Sequence, residues 1–355
     1  MEFLKKTLNC LKNRIYLIIP FICIAAYAIF YLIKSNFQIF ELDFGIFYNS
    51  GKQVLIDPSK LYQQTGYLYL PSFACLFVLF SFFNFYTAYF LFYVLNYVFA
   101  ILFVIEFNKI LILKKVLDKK VRFLFLLVIS NGWVIYFQFY HNQSKLIVLL
   151  IFTYIIRREI TYREGAMEKD LKFYLINYNL FIFALSIVPY LIFLFLIYIF
   201  NDIKINKLIK KENLRKIGIL FLSFLVQNIL FLVYPSLIVE FLAQGIKFQS
   251  FSPYNNTLPQ FYLREFFYVD ADIITYVRIA TLIILLIITI LLIKNPTLFI
   301  EMKFAYFLFA FLFLDTYNSL SNLIITLSFC NLLFINFLAH NENFKQFLKN
   351  NKDIY

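Results

Sequence analysis

The sequence predicts an all-α polytopic membrane protein, and three observations carry that expectation. Of its 355 residues, 62% are hydrophobic and only 15% are charged, more apolar surface than a soluble domain of this size could hide. Apolar runs of roughly 15–25 residues recur along the whole length, each able to cross or nearly cross a hydrocarbon core about 30 Å thick. The basic residues sit in short blocks between those runs. Residues 1–355 therefore read as a single transmembrane domain, with no room for a separate soluble one.

The first apolar run, 15–33, follows Lys5, Lys6, Lys12 and Arg14. That order resembles a signal peptide, and Ala26-Tyr27-Ala28 resembles a cleavage site. The run continues past it through Ile33, so an uncleaved first helix is expected. Further spans are expected at 123–140, 144–157, 217–234, 272–293, 300–315 and 322–339. Two regions depart from one crossing each. Residues 70–113 hold two apolar stretches, 70–83 and 86–113, but cross only once; the shorter is read as a half-span or an interfacial helix. Residues 173–200 start and end on the same side around Pro189, which suggests a short helix pair or a re-entrant hairpin. Broken helices at membrane depth survive only against protein or a cavity. One long kinked helix is the alternative there.

The net charge of +13 would point to nucleic acid in a soluble protein. Here 25 of the 33 Lys and Arg fall in six blocks, 1–14, 114–122, 157–172, 201–216, 294–303 and 341–355. That is the pattern of cytoplasmic loops, so both termini are expected in the cytoplasm, with membrane lipids as partners and no nucleic acid. The segments left outside are 34–70, 140–145, 235–271 and 315–322, which with their edges hold seven basic and eight acidic residues. Cys10, Cys23, Cys75 and Cys330 are scattered and indicate neither a disulfide framework nor a zinc site. No glycine-rich phosphate loop occurs among the seven glycines. No metal and no cofactor is expected.

The first outer loop is the most informative stretch. Asp43 emerges about ten residues after the first helix, beside aromatics and two glycines. A carboxylate at the membrane surface is partly desolvated, which raises its basicity and suits it to take a proton from a substrate hydroxyl. A solvated charge or a helix cap is the plainer alternative.

From Asp43 to Pro71 the loop resembles the first loop of the polyprenyl-phosphate-mannose-dependent mannosyltransferases of the GT-C superfamily, and in particular glycosyltransferase family 87. The resemblance rests on the acidic residue after the first helix, on Tyr48-Asn49-Ser50-Gly51, on Leu61-Tyr62 and on Tyr69-Leu70-Pro71. Later pieces follow in order: His141-Asn142-Gln143-Ser144 heading a span that ends in Arg157-Arg158, Ala184 through Ser186 to Pro189, and Asn255-Asn256-Thr257-Leu258 with Arg264. Two departures stand out. Ser186 takes the place of a family lysine, and the stretch from Asp315 through Asn318 to Asn322 carries no histidine where the family has two.

The resemblance implies a GT-C-type helical bundle of about 9–11 membrane helices with an extracytoplasmic first loop. It implies an inverting transfer of a hexose, mannose by the family, from a polyprenyl-phosphate donor to a glycolipid or lipid-linked glycan acceptor. Asp43 would be the general base. Glu41, Tyr48, Lys52, Tyr69, His141, Gln143, Lys145, Asn256, Arg264 and Asn318 are the expected substrate contacts. Lys145 and Arg264 would hold the donor phosphate in place of the missing residues. Against that, Lys145 could snorkel outward, Arg264 could pair with Glu265, and His141 and Gln143 could cap their helix. A transporter or flippase of lipid-linked sugars and a non-catalytic subunit of a glycosylation complex are the alternative functions.

Overall fold

The computed structural model describes residues 18–30, 33, 42–63, 67–116, 119–130, 135, 138–139, 142–203, 210–251 and 271–314. Among these residues the regular structure is helical throughout, with no strand. In chain order the helices are α1 (Ile18–Phe30), α2 (Leu42–Ile56), α3 (Pro71–Val78), α4 (Phe85–Leu113), α5 (Lys119–Ser130) and α6 (Lys145–Arg163). They continue with α7 (Leu171–Ile187), α8 (Ile192–Asp202), α9 (Lys211–Gln227), α10 (Ile229–Val233), α11 (Ser236–Phe251), α12 (Ala271–Lys294) and α13 (Ile300–Leu314).

α4 is the backbone of the bundle. Its 29 residues reach about 44 Å at 1.5 Å per residue, and among the described residues it is the one helix long and apolar enough to cross a membrane. Asn84 starts it by accepting the backbone N–H of Thr87 at 2.9 Å, a standard N-cap. Lys115 ends it at φ 59°. There Val116 N–H donates to Leu111 O at 3.0 Å and Lys115 N–H to Ile112 O at 2.9 Å, which satisfies the last carbonyls in a Schellman turn. α4 packs most extensively on α6, and Arg157 of α6 donates to the Glu106 carboxylate of α4. That pair explains why α6 outruns the span expected at 144–157. Arg157 is neutralised and Glu159 is buried against Lys169 at 2.9 Å, so the helix continues through its charges to Gly165, whose φ of 75° closes it.

Two stretches expected as loops hold helices, α2 within 34–70 and α11 within 235–271. In α2 Phe44, Phe47, Tyr48 and Gly51 are buried, the i, i+3, i+4, i+7 spacing of one helix face, with Ser50 buried beside them. Gly45 and Asn49-Ser50-Gly51 disguise that face. Gly51 itself is required by contact: a Cβ there would lie 2.5 Å from the carbonyl carbon and oxygen of Phe77 on α3. The span expected at 217–234 is interrupted at Asn228, between α9 and α10; Ser72 of α3 donates to its side-chain oxygen at 3.4 Å. The span expected at 322–339 lies outside the described residues.

Residues 173–200 form the expected helix pair. α7 and α8 meet at a 3-10 turn, Pro189–Leu191, and fold back on one another. Asn177 Nδ2 donates to Tyr198 Oη at 2.8 Å, Phe181 stacks on Tyr198 at 5.3 Å, and Lys169 joins Asp202 at 2.7 Å across the open ends. At the turn, Leu70 N–H donates to Ser186 O at 3.0 Å. The hairpin is therefore tied at its tip to the segment before α3.

The bundle has two chemically different ends. One gathers Lys114, Arg163, Glu301, Lys169 and Asp202, from four of the basic blocks or beside them. Glu301 accepts from Lys114 at 2.5 Å and from Arg163 at 2.9 Å. The other end gathers Asp43, Tyr69, Gln143 and Lys145.

Candidate functional site

Asp43 stands in the first turn of α2, where the helix dipole favours a negative charge. Gln143 Nε2 donates to its Oδ2. Oδ1 has no hydrogen bond among the described residues, and the side chain is half-exposed. One carboxylate oxygen is thus oriented while the other stays available.

The turn that presents Gln143 is held from below. Asn142 adopts φ 47°, a left-handed conformation that asparagine tolerates better than most residues. It is fully buried. Its Oδ1 accepts from Asn96 Nδ2 of α4 at 2.9 Å, and its Nδ2 donates to Tyr89 O at 3.3 Å. Gln143 N–H donates to Gln138 O at 3.0 Å. A polar turn in an apolar surrounding stays in place only when its groups are satisfied, and α4 provides that satisfaction.

Lys145 opens α6 one turn beyond. Its side chain is only 8% exposed, and its ammonium lies 5.6 Å from the centre of the Tyr69 ring. No carboxylate lies within salt-bridge distance among the described residues, though the charge of Asp43 reaches it. Tyr69 is enclosed by Phe47 at 5.2 Å, Phe73 at 5.1 Å and Tyr67 at 5.6 Å. That burial, and then the negative charge of Asp43, raise its phenol well above the usual tyrosine value. It therefore stays protonated and can donate. A carboxylate, an amide, a buried cation and a phenol donor meet at one place, a set that can accept one proton and stabilise one anion.

Of the expected site residues, the structure brings together Asp43, Gln143, Lys145 and Tyr69. It separates Tyr48 and Lys52 from them. Five and nine residues along α2 from Asp43, they point about 140° and 180° round the helix. Tyr48 Oη donates to Phe83 O at 2.8 Å, its ring packs on Phe85 at 5.3 Å, and Lys52 lies over it at 4.6 Å. Their role is to seat α2. Glu41, His141, Asn256, Arg264 and Asn318 lie outside the described residues. Asn96 was missed. Its signal was present, an amide in the middle of a 29-residue apolar helix, where polar residues bind neighbouring helices.

A cavity of about 1140 Å³ lies elsewhere. It lies at the other end of α6, around Glu159 and Arg163.

Comparison of the chain with known protein families, curated proteins and solved structures finds no match.

Proposed function

We propose that this chain is a polytopic membrane protein that works as an inverting GT-C-type glycosyltransferase. It moves a hexose, mannose by the family resemblance, from a polyprenyl-phosphate donor to a glycolipid or lipid-linked glycan. The observation that carries this reading is the pairing of an oriented carboxylate, Asp43, with a buried ammonium, Lys145, that forms no salt bridge among the described residues. Those are the two charges a single displacement at a glycosyl phosphate needs.

The acceptor hydroxyl gives its proton to Asp43 Oδ1. Its oxygen attacks the anomeric carbon from the face opposite the phosphate, the bond from that carbon to the phosphate oxygen breaks, and the polyprenyl phosphate leaves with the electron pair. Lys145 neutralises the charge that grows on the leaving oxygen, and the Tyr69 hydroxyl donates to it. Holding two membrane-anchored reactants beside these groups supplies proximity.

Membrane embedding is supported by the faces of α9 and α12. Phe221, Leu222, Val226, Ile279, Ile283 and Leu291 are exposed in rows, and lipid would cover them. The gathering of basic blocks at one end supports a cytoplasmic position for that end and an extracytoplasmic one for Asp43.

The test is transfer by purified protein from labelled polyprenyl-phosphate sugars to membrane acceptors. Asp43→Asn should abolish it with the fold preserved, and retained transfer sinks the reading. The break at Pro189 favours one other reading, a transporter of lipid-linked sugars. Movement of the labelled lipid across a bilayer without release of lipid phosphate would select it.

A further inference from the structure

The cavity at the basic end of the bundle holds a buried cation with no carboxylate partner among the described residues. It is lined by residues of α6, α7, α8, α9, α12 and α13 and of the turns beside them, with a volume of about 1140 Å³. Its start lies about 21 Å from Lys145, fourteen residues along α6.

Each buried carboxylate at this end already has a cation beside it, and two of them share one. Glu159 is 2.9 Å from Lys169 and accepts from Tyr198 Oη at 2.7 Å. Asp202 is 2.7 Å from the same Lys169. Glu301, just behind the lining, is held by Lys114 and Arg163. The lining's other two carboxylates, Glu168 and Glu212, are exposed to solvent.

Lys303 is left over. It lines the cavity with 2% of its surface exposed. Its ammonium donates to Asn201 Oδ1 at 3.0 Å, and no carboxylate among the described residues lies within salt-bridge distance. It also stands in the first turn of α13, where the helix dipole repels a cation. A buried charge with neither counterion nor favourable dipole is costly. Lys216 lines the same cavity, and its salt-bridge partner, Glu212, is 79% exposed, which makes the pair weak. The rest of the wall includes Ile293, Leu298, Phe299 and Met167.

We infer that this cavity is a binding site for a phosphate group, held by Lys303 and Lys216, with the apolar wall covering the adjoining part of the molecule. The volume suits a head group together with the first part of its tail. Basic recesses between helix ends on the cytoplasmic side recognise anionic lipid head groups in this way. The inference does not depend on what Asp43 does.

The experiment uses the full chain in phosphatidylcholine nanodiscs. Short-chain phosphatidic acid is titrated in and retained lipid is counted by native mass spectrometry. Wild type should retain phosphatidic acid over phosphatidylcholine. Lys303→Gln should weaken retention by about tenfold or more, the loss of one charge-assisted hydrogen bond. Asn201→Asp keeps the lysine but gives it an internal counterion, and should weaken retention as much. Both variants should melt no lower than wild type. Inorganic phosphate is the second arm. Displacement of the lipid by equal concentrations of it assigns the site to free phosphates, and displacement only by lipid assigns it to the bilayer. Equal retention by wild type and both variants, or equal retention of the two lipids, overturns the inference.

Discussion

Asn96 Nδ2 donates to Asn142 Oδ1 at 2.9 Å, and that bond helps the middle of α4 set where Gln143 meets Asp43. Removing it leaves the buried Asn142 oxygen without its donor and only the longer bond to Tyr89 O. Asn96→Leu should cost about 1–2 kcal/mol of stability, read as a lower melting temperature in detergent. Turnover per folded molecule should fall between about 10- and 100-fold, because the turn carrying Gln143 shifts. Unchanged turnover of the folded fraction would show that the turn does not need α4.

Lys145 separates chemistry from stability. Lys145→Met removes the stabilising charge at the leaving phosphate and should lower transfer by about 100-fold or more. It also removes a buried ammonium that forms no salt bridge among the described residues, so the melting temperature should hold or rise. Loss of activity together with loss of fold would argue that Lys145 is structural.

Gly51 tests the contact between α2 and α3. Gly51→Ala places a Cβ 2.5 Å from the Phe77 backbone, which cannot swing aside as a side chain can. The helices must part, at a cost of about 1–3 kcal/mol. Chemical denaturation should show that loss, with α2 exchanging its amide hydrogens faster. Lys52→Gln, two turns from Asp43 on the far face, should leave transfer within about twofold of wild type, as exposed substitutions usually do.

Lys169 gives the hairpin a pH dependence. Burial alone would lower its ammonium, but Glu159 and Asp202 outweigh burial and hold it above the usual lysine value. A raised folded value means the pair's stabilisation is complete below the unfolded lysine value of about 10.4. It is lost as pH rises through the folded one. Melting temperature should therefore be flat through the neutral range and drop above about pH 10. Lys169→Met should lower stability by about 3–5 kcal/mol near neutrality by stranding two buried carboxylates, and adding Asp202→Asn should restore part of that.

Much of the architecture was legible because apolar period and charge placement are local signals. The break at Pro189 and the single long helix after Phe85 follow from them directly. α2 was not legible as a helix, because Gly45 and Asn49 to Gly51 read as turn formers, while Gly51 is there to let α3 approach rather than to break the chain. The candidate site was legible in part. Asp43, Gln143 and Lys145 announce themselves as polar residues at apolar borders. Tyr48 and Lys52 do not belong with them because helical phase, invisible while the stretch reads as loop, turns them away. Lys303 was read only as one more basic residue. That it faces Asn201 and not a carboxylate depends on how α8 and α13 pack, which no local pattern reports.

The pairs that close the two ends of the bundle are far apart in the chain. Gln143 follows Asp43 by 100 residues, and Glu301 follows Lys114 by 187. At about 5–20 residues per second of synthesis, Asp43 waits about 5–20 seconds for its amide, and Lys114 about 9–37 seconds for its carboxylate. Through that interval the nascent chain carries charged side chains whose partners have not yet been made. Glu301 is the late-arriving clasp: a ribosome halted before it would leave Lys114 and Arg163 without it, and quality control could recognise an unfinished protein by those two cations.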